Sequence, residues 1–160
     1  MADTMFKQMA GIKAFERSKW FSPGNYIVEI NATKFVQNKR KTSVIIETIV
    51  LGTDADDENA PQPDEIAAQV IVCSGEWGEL GLANWKQFLT IVLQVEDPET
   101  VSDEQWEKWT DEAFEEQGLK GVRLHLQCWH KAKKSNPAEV FTVHQWSYPT
   151  EAQLKKFGIQ

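Results

Sequence analysis

Residues 120–146 read Lys120-Gly121-Val122-Arg123-Leu124-His125-Leu126-Gln127-Cys128-Trp129-His130-Lys131-Ala132-Lys133-Lys134-Ser135-Asn136-Pro137-Ala138-Glu139-Val140-Phe141-Thr142-Val143-His144-Gln145-Trp146. Val122, Leu124, Leu126 and Cys128 alternate with Arg123, His125, Gln127 and Trp129, and a period of two predicts a strand with one face buried. The Ser-Asn-Pro cluster interrupts the run and a second β-rich run follows, so the two make a hairpin. Its tip carries Lys131, Lys133 and Lys134. Its first strand turns one face to the core and sets Arg123, His125 and Trp129 on the other. Cations beside a flat ring suit an extended polyanion with exposed bases, which is the chemistry of single-stranded nucleic acid. The plainer reading is an edge hairpin whose lysines deter strand-to-strand aggregation.

Working outward, residues 1–20 form an arm in which Phe6, Met9, Ile12 and Phe15 recur at helical spacing among Lys7, Lys13, Arg17 and Lys19. Ser22-Pro23-Gly24-Asn25 is a turn. A strand over 26–35 follows, with Tyr26, Val28 and Ile30 on one face and Ile27, Glu29, Asn31, Thr33 and Phe35 on the other. The polar turn Gln37-Asn38-Lys39-Arg40-Lys41-Thr42 leads into a β-branched strand over 43–51. The first hairpin therefore has a basic tip like the last one. Residues 52–65 form an acidic, proline-containing loop, read as solvated and mobile. A third strand covers 66–73. Leu82, Trp85, Leu89 and Val92 then mark an amphipathic helix, stopped before Asp97-Pro98. An acidic helical insertion spans 96–117, opening at Ser102 with acids in its first turn and an apolar stripe of Trp106, Trp109, Ala113 and Phe114. Thr150-Glu151-Ala152-Gln153 has capping-box spacing and opens a short helix over 150–160.

The net charge of −7 hides a polarised chain. Residues 96–116 hold ten acids against one lysine, and residues 54–65 hold six acids and no base. Setting those −9 and −6 aside leaves +8 on the rest, and a local patch decides an electrostatic footprint. At 160 residues the chain is long enough for one domain with a core of its own. No apolar run is long enough to span a bilayer, and Met1-Ala2-Asp3-Thr4 is no signal peptide. Cys73 and Cys128 sit singly, which suits a reducing, cytoplasmic setting.

The element order is hairpin, strand, helix with an acidic helical insertion, hairpin. That predicts a mainly-β protein with helices: a five-stranded Greek-key β-barrel of the OB-fold type, with a helix between strands three and four. In such a barrel the loops joining strands one and two, and four and five, flank the binding face. Here those loops are the two basic tips. The expected nucleic-acid contacts are Lys34, Phe35, Lys39, Arg40, Lys41, Arg123, His125, Trp129, Lys131, Lys133 and Lys134.

Phe21-Ser22-Pro23-Gly24-Asn25-Tyr26, the basic first hairpin and Leu119-Lys120-Gly121-Val122-Arg123-Leu124 together resemble the phage-encoded single-stranded DNA-binding proteins of OB type, over roughly residues 20–148. The resemblance implies sequence-tolerant coating of single-stranded DNA in phage DNA replication or recombination, in the host cell cytoplasm. It also implies neither catalysis nor a cofactor. Many replication single-strand binders end in an acidic recruiting tail, whereas this sequence finishes Leu154-Lys155-Lys156-Phe157-Gly158-Ile159-Gln160. The acidic helix is the alternative place to recruit replication or recombination proteins.

Other chemistries fit less well. His125 and Cys128, three apart on a strand, face opposite sides and cannot share a zinc ion. Nucleotide-loop, metalloprotease-helix and nucleophile-elbow motifs do not occur. Asp56-Asp57 and Asp111-Glu112 are paired acids, but neighbours on a helix do not face one another. The second reading is an acidic protein-binding accessory module or DNA mimic that leaves nucleic acid alone. The sequence leaves monomer against dimer open.

Overall fold

The computed structural model describes residues 19–38, 41–134, 136 and 138–160. The arm before Lys19 and the tip residues Lys39 and Arg40 lie outside them. The strands are β1 (Lys19–Trp20), β2 (Gly24–Gln37), β3 (Thr42–Thr53), β4 (Ile66–Val72), β5 (Arg123–Ala132) and β6 (Val140–Ser147). The helices are α1 (Gly78–Val92), α2 (Asp103–Glu115) and α3 (Glu151–Lys156).

The sheet has six strands, ordered β1-β4-β3-β2-β5-β6. Five were expected. The sixth is the parallel edge strand β1, two residues whose pairing with Ala67 and Ala68 leaves no periodicity to read. All other neighbours are antiparallel. The sheet curls into a half-barrel until its edges meet through side chains. Trp146 Nε1 donates to Gln69 Oε1 at 2.9 Å, and Phe21 lies edge-on to His144 and Trp146.

One core fills the concave side: Tyr26, Val28 and Ile30 of β2, Val44, Ile46 and Val50 of β3, and Leu124, Leu126 and Cys128 of β5. The alternation in β5 thus sorts inside from outside as expected. Helix α1 closes the concavity with Trp85, Phe88, Leu89 and Val92. Leu82, expected on that stripe, is 52% exposed. Gly81 faces the sheet instead, because a Cβ there would collide with the Val72 carbonyl and only glycine lets the helix approach β4 so closely. Helix α2 buries Trp106 and Ala113, and its Ser102 and the Thr150 of α3 cap their helices as read.

The strand β2 departs from its expected alternation. A bulge between Ile30 and Ala32 inserts one residue. Beyond it every side chain changes face, since the period of a strand is two. Thr33 therefore turns inward, 1% exposed, its hydroxyl donating to the Ala113 carbonyl. Phe35 packs its ring 5.7 Å from Phe114. Most of residues 54–64 are exposed, as a solvated loop would be, but the segment is tied to the sheet. Asp54 accepts from the Asn25 backbone and side chain, Val50 exchanges hydrogen bonds with Glu65 and Asp64, and Ala60 is buried.

Candidate functional site

On the convex face, register places His125 opposite Ser147, Trp129 opposite Val143 and Lys131 opposite Phe141. Those side chains share one surface, because paired residues point the same way. It divides in two.

At the Arg123 end the surface is covered by the chain's own last residues. Phe157 and Ile159 lie on Gly52, Lys156 bonds Asp54 at 3.2 Å, and the Arg123 guanidinium donates to the Gln160 carbonyl at 2.6 Å. Burial acts to raise the Asp54 carboxyl, but the Asn25 N–H, the Lys156 ammonium and the Asn25 amide outweigh it and hold it below its usual value. His125 faces outward yet is only 7% exposed, its ring nitrogens 3.1 Å from Asn25 Oδ1 and 3.3 Å from Ser147 Oγ. Desolvation lowers its pKa, against the pull of Asp54, favouring the neutral ring. His125 is thus buried and engaged internally, whereas Arg123 stays exposed while it bonds the Gln160 carbonyl.

At the other end Trp129 is 38% exposed and Phe141 43%. Lys131 is exposed beside them, and Lys134 extends the cationic row. Neither lysine makes an ion pair among the described residues, while Lys133 bonds Glu139 at 3.0 Å. Phe141 was missed in the sequence. Counting back from the tip (Ala132 pairs with Val140) sets it opposite Lys131, but the tip's length was the unknown.

The β2–β3 tip lies at the far end of the long strand β2, since β5 reaches only from Gly24 to Glu29 along it. Lys41 is exposed there with no ion pair among the described residues. Lys34 is held by Glu47 at 2.8 Å, and Phe35 shows half its surface. Straight, the 14 residues of β2 would span roughly 43 Å at about 3.3 Å per residue. Strand β5 runs on past Gly24 from Cys128 to Ala132 before its own tip, so the two tips lie at opposite ends of the sheet, the curl shortening the distance. The structure therefore groups Trp129, Lys131, Lys134 and Phe141 at one end, and Lys34, Phe35 and Lys41 at the other.

Cys128 points into the core, where burial pushes its thiol up to about 12, so it and His125 lie on opposite sides of β5. Among the described residues no group of three or more His, Cys, Asp or Glu is placed to hold a metal ion, and no helix is long and apolar enough to cross a membrane. The acids of α2 form a solvent-facing surface of Glu104, Glu107, Asp111, Glu112 and Glu115 around Lys108. The sequence matches no protein-family model and no curated protein.

Proposed function

We propose that the protein binds single-stranded DNA with little sequence preference, as a non-catalytic coating protein of DNA replication or recombination with an OB-type barrel. The observation that carries this reading is the outer face of the β5–β6 hairpin, where exposed Trp129 and Phe141 flank Lys131 beneath the Lys134 tip. Rings give sequence-tolerant stacking and lysines track phosphates. The antiparallel path β4-β3-β2-β5-β6, with α1 between β4 and β5, is compatible with the OB reading. The test is a tryptophan-fluorescence titration with a single-stranded oligonucleotide over a range of salt. With about four to six phosphates neutralised, log K falls against log salt with a slope of roughly −3 to −4. A flat salt dependence, or tighter binding to duplex, rejects it.

The acidic face of α2 favours a second reading, a module that docks a basic protein partner. That reading predicts no oligonucleotide binding at any salt, so the same titration separates the two.

A further inference from the structure

The half-barrel leaves a slot. Strand β1 pairs only with Ala67 and Ala68, so among the described residues the outer edge of β4 has no strand beside it from Gln69 onward, and β6 is the opposite edge of the sheet. Helix α1 roofs the gap. The resulting cleft of about 400 Å³ is walled by Leu80, Asn84 and Gln87 of α1, by Gln69, and by residues of β6 that include Phe141 and His144. A volume of that order is within the usual range of small-molecule sites, roughly 300–1,000 Å³.

Its chemistry is selective. Among the described residues no charged side chain lines it. The side-chain amides of Asn84 and Gln87 make no hydrogen bond within the described residues. Gln69 spends its carbonyl on Trp146, which leaves its NH₂ to donate. Desolvation brings His144 down to about 4, so its ring is neutral as well. Uncharged amides that donate and accept, beside apolar Leu80 and Ile91, suit the edge and face of a base and give a phosphate no counter-charge. Phe141, on the edge strand β6, borders the cleft and stands opposite Lys131 on the hairpin, so the two surfaces adjoin.

We propose that this cleft seats one unstacked nucleobase of a bound single strand, whose phosphates pass over Lys131 and Lys134. The inference rests on the single-strand reading and adds to it a base site between the open edges of the half-barrel.

The experiment compares two oligonucleotides of equal length, one of thymidines and one of abasic sugar-phosphate, binding to the wild type and to N84A/Q87A at one salt concentration. Both positions are exposed on α1, where alanine is a good helix former, so melting temperatures should match. The expected result is a loss of about tenfold in affinity for the thymidine strand, with the abasic strand unaffected. L80W, which fills the cleft from its rim, should give the same pattern. Unchanged thymidine affinity in both variants overturns the base site and leaves the single-strand reading standing. An equal loss for both strands also overturns it, since the cleft would then serve the backbone. Wild-type protein that binds neither strand overturns both readings. If the Asn84 and Gln87 side-chain NMR signals respond to an extended valine-rich peptide and ignore the oligonucleotide, the slot is a strand-addition site and the proposal fails.

Discussion

The Gln117 side chain pairs with Thr33 as a neighbouring strand would: its Oε1 accepts from the Thr33 N–H at 3.0 Å, and its Nε2 donates to the Thr33 carbonyl at 2.9 Å. Strand β5 does not reach this point, the last backbone bonds on that side of β2 being those of Gly121 and Val122 with Ile30. Past the bulge the inner edge of β2 would otherwise be bare. Gln117, in the left-handed region at φ 53°, reaches back from the end of α2 to close it. Q117A strands a buried N–H and a buried carbonyl, each costing about 1–3 kcal/mol when left unpaired. A melting temperature lowered by several degrees is the expected outcome; an unchanged one would mean water replaces the amide without loss.

The lysines of the β5–β6 tip should act through phosphates alone. K131E/K134E reverses two exposed charges that hold no ion pair among the described residues, so stability should stay within about 0.5 kcal/mol of the wild type. The salt slope of oligonucleotide binding should flatten by roughly 0.7 for each phosphate that is no longer neutralised. K133E also breaks the pair with Glu139, a solvent-exposed bridge of small worth. Titrations at four salt concentrations supply the slopes. Slopes equal to the wild type's would remove this tip from the interface.

The acids of residues 52–65 should split into two kinds. Asp56, Asp57 and Glu58 are exposed, and neutralising them together should leave DNA affinity equal or higher by relieving repulsion. Asp54 is different, since it ties Asn25 to Lys156. D54N should lower the melting temperature at neutral pH and leave less of an acid-side decline. The carboxyl titrates lower folded than unfolded, so its contribution is present above the unfolded pKa and lost as pH falls through the folded one.

The histidines predict an acid limb of their own. His144 sits at about 4 against an unperturbed 6.5, and His125 is also lowered, both chiefly by desolvation. Between those values the unfolded chain binds more protons than the folded one. Stability is therefore full above about 6.5 and declines as pH falls toward about 4, by up to about 1.4 kcal/mol per pH unit for His144. Urea denaturation across that window should show the slope, and H144Q should flatten it. An H144Q profile parallel to the wild type's would mean the ring is solvated in the folded state.

What could be read in the sequence was whatever depends on local period. The strands β2 to β6, α1, α2 and the Thr150 cap follow from alternation, helical spacing and capping residues, and the inward set Leu124, Leu126 and Cys128 follows from the period of two. What could not be read depends on partners far along the chain. The bulge near Ala32, which carries Phe35 to the α2 side, has no local mark. Strand β1 is too short for any pattern. The burial of His125 and the engagement of Arg123 come from Asn25, Ser147 and Gln160, which alternation within β5 cannot reveal.

Trp129 carries the most specific prediction about the site. It lies opposite Val143 on the convex face, two residues before Lys131, and shows more than a third of its surface. The helical tryptophans are built in. Trp85 stacks on Phe114 at 5.2 Å and donates its Nε1–H to Thr110, while Trp106 packs edge-on against Trp109 beneath Lys86. Removing Trp85 should cost about 3–5 kcal/mol of stability through the cavity it leaves. W129A should cost little stability and lose about 1–3 kcal/mol of binding, the worth of one stacked base. Oligonucleotide should quench wild-type fluorescence, and much of that change should vanish in W129A. F141A should weaken binding by a similar route with no loss of the quenching signal, because phenylalanine does not report at tryptophan wavelengths. Melting temperature and dissociation constant measured side by side on W129A, F141A and W85A decide the matter. A W129A protein that melts as low as W85A yet binds normally when folded would place Trp129 in the core, and with it the stacking face assigned to this hairpin would be lost.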